Sequence, residues 1–250
     1  KPAPEFSVPA QRVTTAGADA RTLEALPEAL ASLRNLLPLA RALGFNGIES
    51  YVKWNFIERS PGVFDWSFYD AVVAEIERHR LRWFPLLIVG SAYTLPEWYY
   101  KSKENIGFEC LEHRMRNDIQ SIFAGTQDRY VERFLQEFGK HYGSREALLG
   151  VRLGPSGNYG EAQYPARGDW GYQWQPLHTH IGYWAADPFA QLSFRRWVQG
   201  RYPTIDDLNR AWQGQIRSFE QVQTFLPVTV VGRRQRIDFA DWYMAAMSEW

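Results

Sequence analysis

The sequence predicts an α/β fold with a parallel sheet, on three observations. Amphipathic helical stretches alternate with strand-like segments along the first 150 residues. Two of those segments are apolar on both faces, as strands covered by helices on either side must be. A length of 250 residues suits one domain with one sizeable core.

Val13-Thr14-Thr15 reads as a first short strand. Residues 22–43 carry Leu23, Leu26, Leu30, Leu33, Leu37 and Ala40 at spacings of three and four, which predicts a helix, and Gly44 stops it. Residues 47–53 follow as a strand that delivers Tyr51 and Trp54 at its C-terminal end. Val72, Val73, Ile76 and Leu81 mark the buried side of a helix over 70–80. The run 83–90 is a buried strand, and a long loop follows it. Tyr130, Val131, Phe134, Leu135 and Phe138 then set out another helix, and 148–154 a further buried strand. Helices return at 188–199, 204–212 and 238–250. Strands and helices in this order make about half of a (β/α)8 TIM barrel, which typically takes about 250 residues when complete. The expectation is therefore a single barrel domain over residues 1–250, truncated before its later strands.

Composition narrows the function. Lys plus Arg number 28 and Asp plus Glu 28, so the formal charge is zero. That argues against a general grip on nucleic acid or a polybasic membrane anchor. No apolar run approaches the roughly 20 residues of a membrane span. The one cysteine, Cys110, excludes an intramolecular disulfide and any cysteine-cluster metal site. A start at Lys1-Pro2-Ala3-Pro4 reads as a processed end or a fragment boundary, which is compatible with secretion or a periplasmic location. Aromatic residues reach 16%, and ring faces outside a core suit stacking on sugars. A carbohydrate is therefore the expected partner.

The chemistry concentrates after Gly154. Residues 154–176 hold five glycines and five aromatics with almost no periodicity, on a loop that leaves the C-terminal end of a buried strand. Parallel α/β folds place their active sites there. Within the loop one carboxylate, Glu161, stands between Tyr159 and Tyr164. A carboxylic acid desolvated among rings has its pKa raised, as a general acid for glycosidic cleavage requires. The plainer alternative is a solvated glutamate in a glycine-rich turn.

Residues 44–66, with Gly44-Phe45-Asn46-Gly47-Ile48, Trp54, Glu58, Gly62, Phe64, Asp65 and Trp66, resemble the early barrel signature of clan A glycoside hydrolases. Pro96-Glu97-Trp98 fits them too. Phe194-Arg195-Arg196-Trp197, Tyr202, Leu208-Asn209-Arg210-Ala211-Trp212, Ser218-Phe219 and Asp238-Phe239-Ala240-Asp241-Trp242 are similar in order and spacing to the family 42 β-galactosidases. The Gly-Pro-x-Gly phrase followed by Glu161 and Tyr164-Pro165 also resembles the acid loop of family 14 β-amylases. The resemblance implies Glu161 as acid/base. In family 42 that glutamate directly follows an asparagine, whereas here Gly160 precedes it and Asn158 stands three positions back. Asn158 takes the asparagine's expected role, a hydrogen bond to the sugar. The expected substrate contacts are Asn158, Tyr159, Tyr164, Trp54, Tyr51, Glu58 and Trp170.

A glycosidase needs a second carboxylate. In clan A it ends the seventh strand, so it is expected beyond Trp250; Glu49 and Glu58 read as binding or structural carboxylates. His178-Thr179-His180 has ligand residue types, but a metal needs about three or four donors and no partner is evident, so no metal is expected. Glu112, His113, Arg114 and Arg116 read as a salt-bridged loop, and no phosphate-binding motif or cofactor site is found. Two functions remain: a β-galactosidase-like glycoside hydrolase, and a non-catalytic glycan-binding protein on the same barrel.

Overall fold

A computed structural model describes residues 13–15, 23–90, 94–154, 164–165 and 178–249. In chain order the elements are β1 (Val13–Thr15), α1 (Leu26–Ala42), β2 (Gly47–Lys53), α2 (Trp54–Ile57), α3 (Ser67–Arg78), β3 (Arg82–Ile88) and α4 (Glu97–Tyr100). There follow β4 (Gly107–Glu109), β5 (Arg116–Gln120), α5 (Asp128–Tyr142), β6 (Arg152–Gly154), α6 (Pro188–Arg201), α7 (Ile205–Trp212) and α8 (Arg233–Glu249). The chain divides into two compact units, residues 1–88 with 132–153, and residues 89–131 with 154–250. Among the described residues no helix is long and apolar enough to cross a membrane.

The first unit carries a four-stranded sheet in the order β1-β2-β3-β6. β1 pairs parallel with β2, Val13 opposite Gly47, and β2 pairs parallel with β3 from Gly47↔Arg82 to Lys53↔Ile88. A parallel bridge joins Trp83 to Leu148, flanked by bonds of 2.7 Å from Trp83 N–H to Ala147 O and from Leu149 N–H to Trp83 O. Residues 47–53, 83–90 and 148–154 are therefore parallel neighbours, as their apolar pattern predicts. Two differences stand out: β3 stops at Ile88 and only 152–154 of the last stretch are regular strand, and that stretch is not buried as expected, since β6 is an edge of the sheet and Val151, Arg152 and Leu153 are exposed.

The helices of this unit follow their apolar spacing. α1 buries Ala29, Leu33, Leu37 and Ala40, and α3 buries Phe68, Tyr69, Val72, Val73 and Ile76. Gly44 ends α1 at φ +82, where Phe45 N–H reaches Ala40 O and Gly44 N–H reaches Arg41 O. That double bond is the Schellman closure, and its left-handed residue suits glycine. α5 turns Phe134, Phe138 and Tyr142 onto Trp66, at ring distances of 5.4–6.0 Å. Trp83 lies 5.0 Å from Tyr142, and its indole N–H donates to Ser50 Oγ at 2.8 Å.

The second unit opens with something the sequence reading takes for a loop. β4 and β5 form an antiparallel hairpin. Its inward positions include Asn117 and Gln120, buried although polar, so no apolar alternation announces it. Gly107 faces the partner strand so closely that a Cβ there would stand 1.8 Å from Asn117 O. Helices α6, α7 and α8 share a core of Phe194, Val198, Leu208, Trp212, Phe239 and Trp242. α6 starts on Asp187, whose carboxylate accepts from Phe189 and Ala190 N–H at 3.0 Å each, and Pro188 fills the first turn. Thr204 caps α7 through Asp207 N–H. α8 begins at Arg233, five residues before the expected start.

Candidate active site

The parallel sheet sets the direction of the site. Strand β6 ends at Gly154, so the stretch that contains Glu161 leaves a carboxyl end of the sheet. Glu161, Asn158, Tyr159 and Trp170 themselves lie outside the described residues, as do Tyr172 and Trp174.

Tyr51, Trp54 and Glu58 lie in the first unit, in and just after β2. Tyr51 is half-buried on the strand, in register with Leu86. Trp54 opens α2 and is fully buried, so it packs inside the unit and offers no open ring face. Its indole N–H donates to Glu58 Oε2 at 2.7 Å. Glu58 is also fully buried. Its Oε1 accepts from Gly62 N–H at 2.7 Å and pairs with Arg133. Glu58 thus fastens the turn after β2, with Gly62 at φ +77. Glu49 lies on β2 and faces Arg152 at 3.5 Å.

Tyr164 lies in the second unit, three residues after Glu161. Its ring stacks on Tyr243 at 3.8 Å and 6°, and its hydroxyl donates to Tyr243 O at 2.6 Å. Phe108 meets it edge-on at 5.8 Å. Burial pushes its phenol well above the ordinary value of 10.0, so it stays neutral and hydrogen-bonded. Tyr164 therefore anchors the chain just past the glycine-rich stretch. Tyr243 carries the connection onward, because its hydroxyl accepts from Trp184 N–H at 2.9 Å. Trp184 is fully buried, and Tyr183 packs on Phe239 at 5.4 Å.

The second unit also contains a constellation that the sequence does not reveal. The turn of the β4–β5 hairpin brings Cys110 and His113 to His178 and His180, four donors within 4.8 Å of one another. Cys110 Sγ lies 3.5 Å from His178 Nε2 and 3.7 Å from His113 Nδ1, and the two imidazole nitrogens are 3.2 Å apart. Partial burial, then His180 and His113, hold the His178 imidazole below its ordinary 6.5. The signal was present as Cys-x2-His and His-x-His, but only the fold brings the two pairs together across more than sixty residues. Among the described residues the neighbouring charged side chains bond to backbone and form no ion pair, which corrects the salt-bridged loop expected here: Glu112 Oε1 accepts from Tyr183 N–H at 2.9 Å, and Arg116 donates to Asn105 O.

The residues that carry the strongest family resemblance build structure. Asp238 is fully buried in α8 and accepts from Tyr202 OH at 2.5 Å and Trp212 Nε1 at 2.7 Å. Arg234 and Arg201 pair with it at 2.5 and 3.2 Å. Phe194 lies 4.9 Å from Trp242, and Asn209 closes the end of α7 through two bonds of 2.8 Å to Ile216.

Known proteins share this frame. A family profile described as Beta-galactosidase, glycoside hydrolase family 42, matches residues 31–250. A β-amylase of Niallia circulans is 22% identical over 237 residues, which is 86% of this chain and 40% of that protein. A β-galactosidase of Thermus thermophilus is 24% identical over 206 residues, 78% of this chain and 28% of that protein. Among solved structures, the catalytic domain of β-amylase from Paenibacillus polymyxa superposes with a TM-score of 0.69 at 18% identity, over 96% of this chain and 60% of that one. The β-galactosidase of Halorubrum lacusprofundi gives 0.63 at 16%, over 96% and 33%. These neighbours are TIM-barrel glycosidases. This chain spans a part of their length, and no closed barrel is present among the described residues. With nearly the whole chain matched from residue 31 onward, the protein belongs to the family 42 β-galactosidase family of glycoside hydrolases.

Proposed function

We propose that the protein is a β-galactosidase-like glycoside hydrolase in which Glu161 is the general acid/base. The observation that carries this reading is the direction of the sheet: β2, β3 and β6 run parallel, and the Glu161 stretch departs where β6 ends. Catalytic groups of β/α barrels come from those carboxyl ends. Membership of family 42 supports the same chemistry. In the proposed mechanism Glu161 gives its proton to the departing glycosidic oxygen. A second carboxylate attacks the anomeric carbon or activates water. Asn158, Tyr159, Trp170 and Tyr51 supply hydrogen bonds and stacking to the sugar. Tyr164 fixes the far end of the stretch, and Glu58 with Trp54 holds the turn after β2. No cofactor takes part.

The test is Glu161→Gln in the intact protein, which keeps shape and removes the proton. Hydrolysis of an unactivated β-galactoside should fall by about 10²–10⁴-fold, while a nitrophenyl β-galactoside, whose leaving group needs little protonation, loses less. Full activity in the variant would sink the assignment. Release of maltose from a malto-oligosaccharide, with no action on β-galactosides, would move the substrate class to that of the β-amylase relatives.

A further inference from the structure

We propose that Gln127, the residue just before α5, is a positioning residue for the acid/base. Its side chain ends the pairing of the β3 strand with β6 and so fixes where the Glu161 stretch leaves the sheet. This role rests on the assignment of Glu161 made above.

The hydrogen bonds between the two strands mark the place. At Trp83 the pattern is that of a parallel ladder, in which its N–H donates to Ala147 O and its carbonyl accepts from Leu149 N–H, each at 2.7 Å. At Val89, one residue past β3, only the first half recurs among the described residues. Val89 N–H donates to Gly154 O at 3.4 Å, while Val89 O accepts from Gln127 Nε2. A side-chain amide thus takes the carbonyl that a strand N–H would use to carry the ladder on. Pro155, next after Gly154, has no N–H to give. The spacing of the partners also changes, from 64 positions for Trp83 and Ala147 to 65 for Val89 and Gly154. One extra residue therefore lies on the β6 side. Steps of this kind stand where pairing ends or a side chain is re-aimed beside an active site.

Gln127 is itself held firmly. Its carbonyl accepts from Tyr130 N–H at 2.9 Å and Val131 N–H at 3.1 Å, which ties its backbone to the first turn of α5. Thr126, before it, donates through Oγ1 to Glu104 O at 2.6 Å and accepts from Gln120 Nε2 at 3.2 Å. Tyr99 OH in turn donates to Gln120 Oε1 at 2.7 Å. The Gln127 side chain is 1% exposed, and its Oε1 is buried with no hydrogen-bond partner among the described residues. An unmet buried acceptor destabilises a fold. Stability alone would favour methionine, of equal length and without the amide, so what the amide contributes is the bond from its nitrogen.

The lever from this bond to the chemistry is short. Gly154 stands seven residues before Glu161, and its carbonyl is two hydrogen bonds from Gln127. A general acid must stand within hydrogen-bond reach of the oxygen it protonates. A misplacement of about 1 Å can cost about 10²-fold in rate. Gln127 limits that error without touching the sugar.

The test uses the intact protein carrying Gln127→Met, alone and together with Glu161→Gln, on an unactivated and a nitrophenyl β-galactoside. For the unactivated substrate kcat should fall by about 10–100-fold, with KM changed by less than about threefold. The nitrophenyl substrate should lose less, because its leaving group needs little protonation. In the double variant Gln127→Met should add less than about threefold, since residues that act as a unit are not additive. Gln127→Glu keeps the shape and puts an ionisable acceptor in place of the donor. Its loss, relative to the unaltered protein, should grow as pH rises and the carboxyl gives up the proton that could reach Val89 O. This variant decides alone if Gln127→Met fails to fold. Equal losses on both substrates, a raised KM with kcat kept, additive losses in the double variant, or a lower Tm with unchanged rates would each overturn the positioning role and leave Glu161 in place. So would a Gln127→Glu loss that is the same at every pH, or none at all. Full activity in Glu161→Gln alone would instead remove the acid/base assignment, and the role of Gln127 with it.

Discussion

Each unit buries a carboxylate against a tryptophan indole N–H and an arginine, and the two do different work. In the first unit Glu58 takes Trp54 four residues before it and Gly62 four residues after it, with Arg133 from α5. In the second, Asp238 takes Tyr202 and Arg201 from the end of α6, Trp212 from the end of α7 and Arg234 from its own helix. The first is a clip that shapes one turn, and the second braces three helices. A buried charge is worth what its partners would lose without it. The comparison therefore predicts unequal costs for chemically equal changes.

The largest effect should come from Asp238→Asn. Two arginines, an indole and a phenol lose their common anion at once, and breaking such a buried cluster costs about 3–5 kcal/mol. Equilibrium urea unfolding of the intact protein measures it, and a cost no greater than that of Glu58→Gln would break the comparison. Glu58→Gln should cost less, about 1–3 kcal/mol, because the amide keeps an acceptor and only one arginine is stranded. The same variant sharpens the functional question. A role in shaping the turn leaves KM near its original value in folded protein, whereas a rise in KM without a matching loss of stability would make Glu58 a sugar contact.

The smallest effect is in pH dependence, where two aspartates near helix starts differ in sign. Asp65 accepts from Ser67 N–H and side chain in the open, and these bonds hold its pKa below 3.8. Its contribution is present above 3.8 and is lost as pH falls through the lower folded value. Asp187 is raised above 3.8 by burial, with its bonds to Ala190, Ser121 and Phe189 opposing. The folded state then holds the proton more tightly than the unfolded chain, so this group's contribution is greatest below 3.8 and declines as pH rises through the higher folded value. Asp65→Asn should flatten the acid side of a stability–pH curve, and Asp187→Asn the side above 3.8. The same response from both variants would contradict the burial argument.

Much of the first unit was legible because its signals are local. Leu33, Leu37 and Ala40 repeat within one helix, Gly44 marks its end, β2 alternates as a strand does, and β3 is a nearly continuous apolar run. The β4–β5 hairpin was not, since three residues on one strand and inward-facing Asn117 and Gln120 on the other mimic a polar loop. Trp54 and Trp184 show the same limit from the other side. An aromatic ring reads alike whether it faces a sugar or a core, and burial alone separates the two. Cys110 and His178 stand 68 positions apart, and pairing over such a distance leaves no periodic trace. The chemistry of Glu161 rests on its place after a strand; β6 does end at Gly154, but Val151, Arg152 and Leu153 are exposed where a buried strand was expected.

Gly107 has a further consequence, for inheritance. With Asn117 O only 1.8 Å from where a Cβ would sit, the geometry admits one letter of the alphabet at this position. The hairpin it permits ends in the turn that bears Cys110 and His113. A signature for the Cys–His cluster should therefore read Gly-x2-Cys-x2-His and not its donors alone. A descendant that kept both donors but changed the glycine would inherit the vocabulary of the site and lose its grammar.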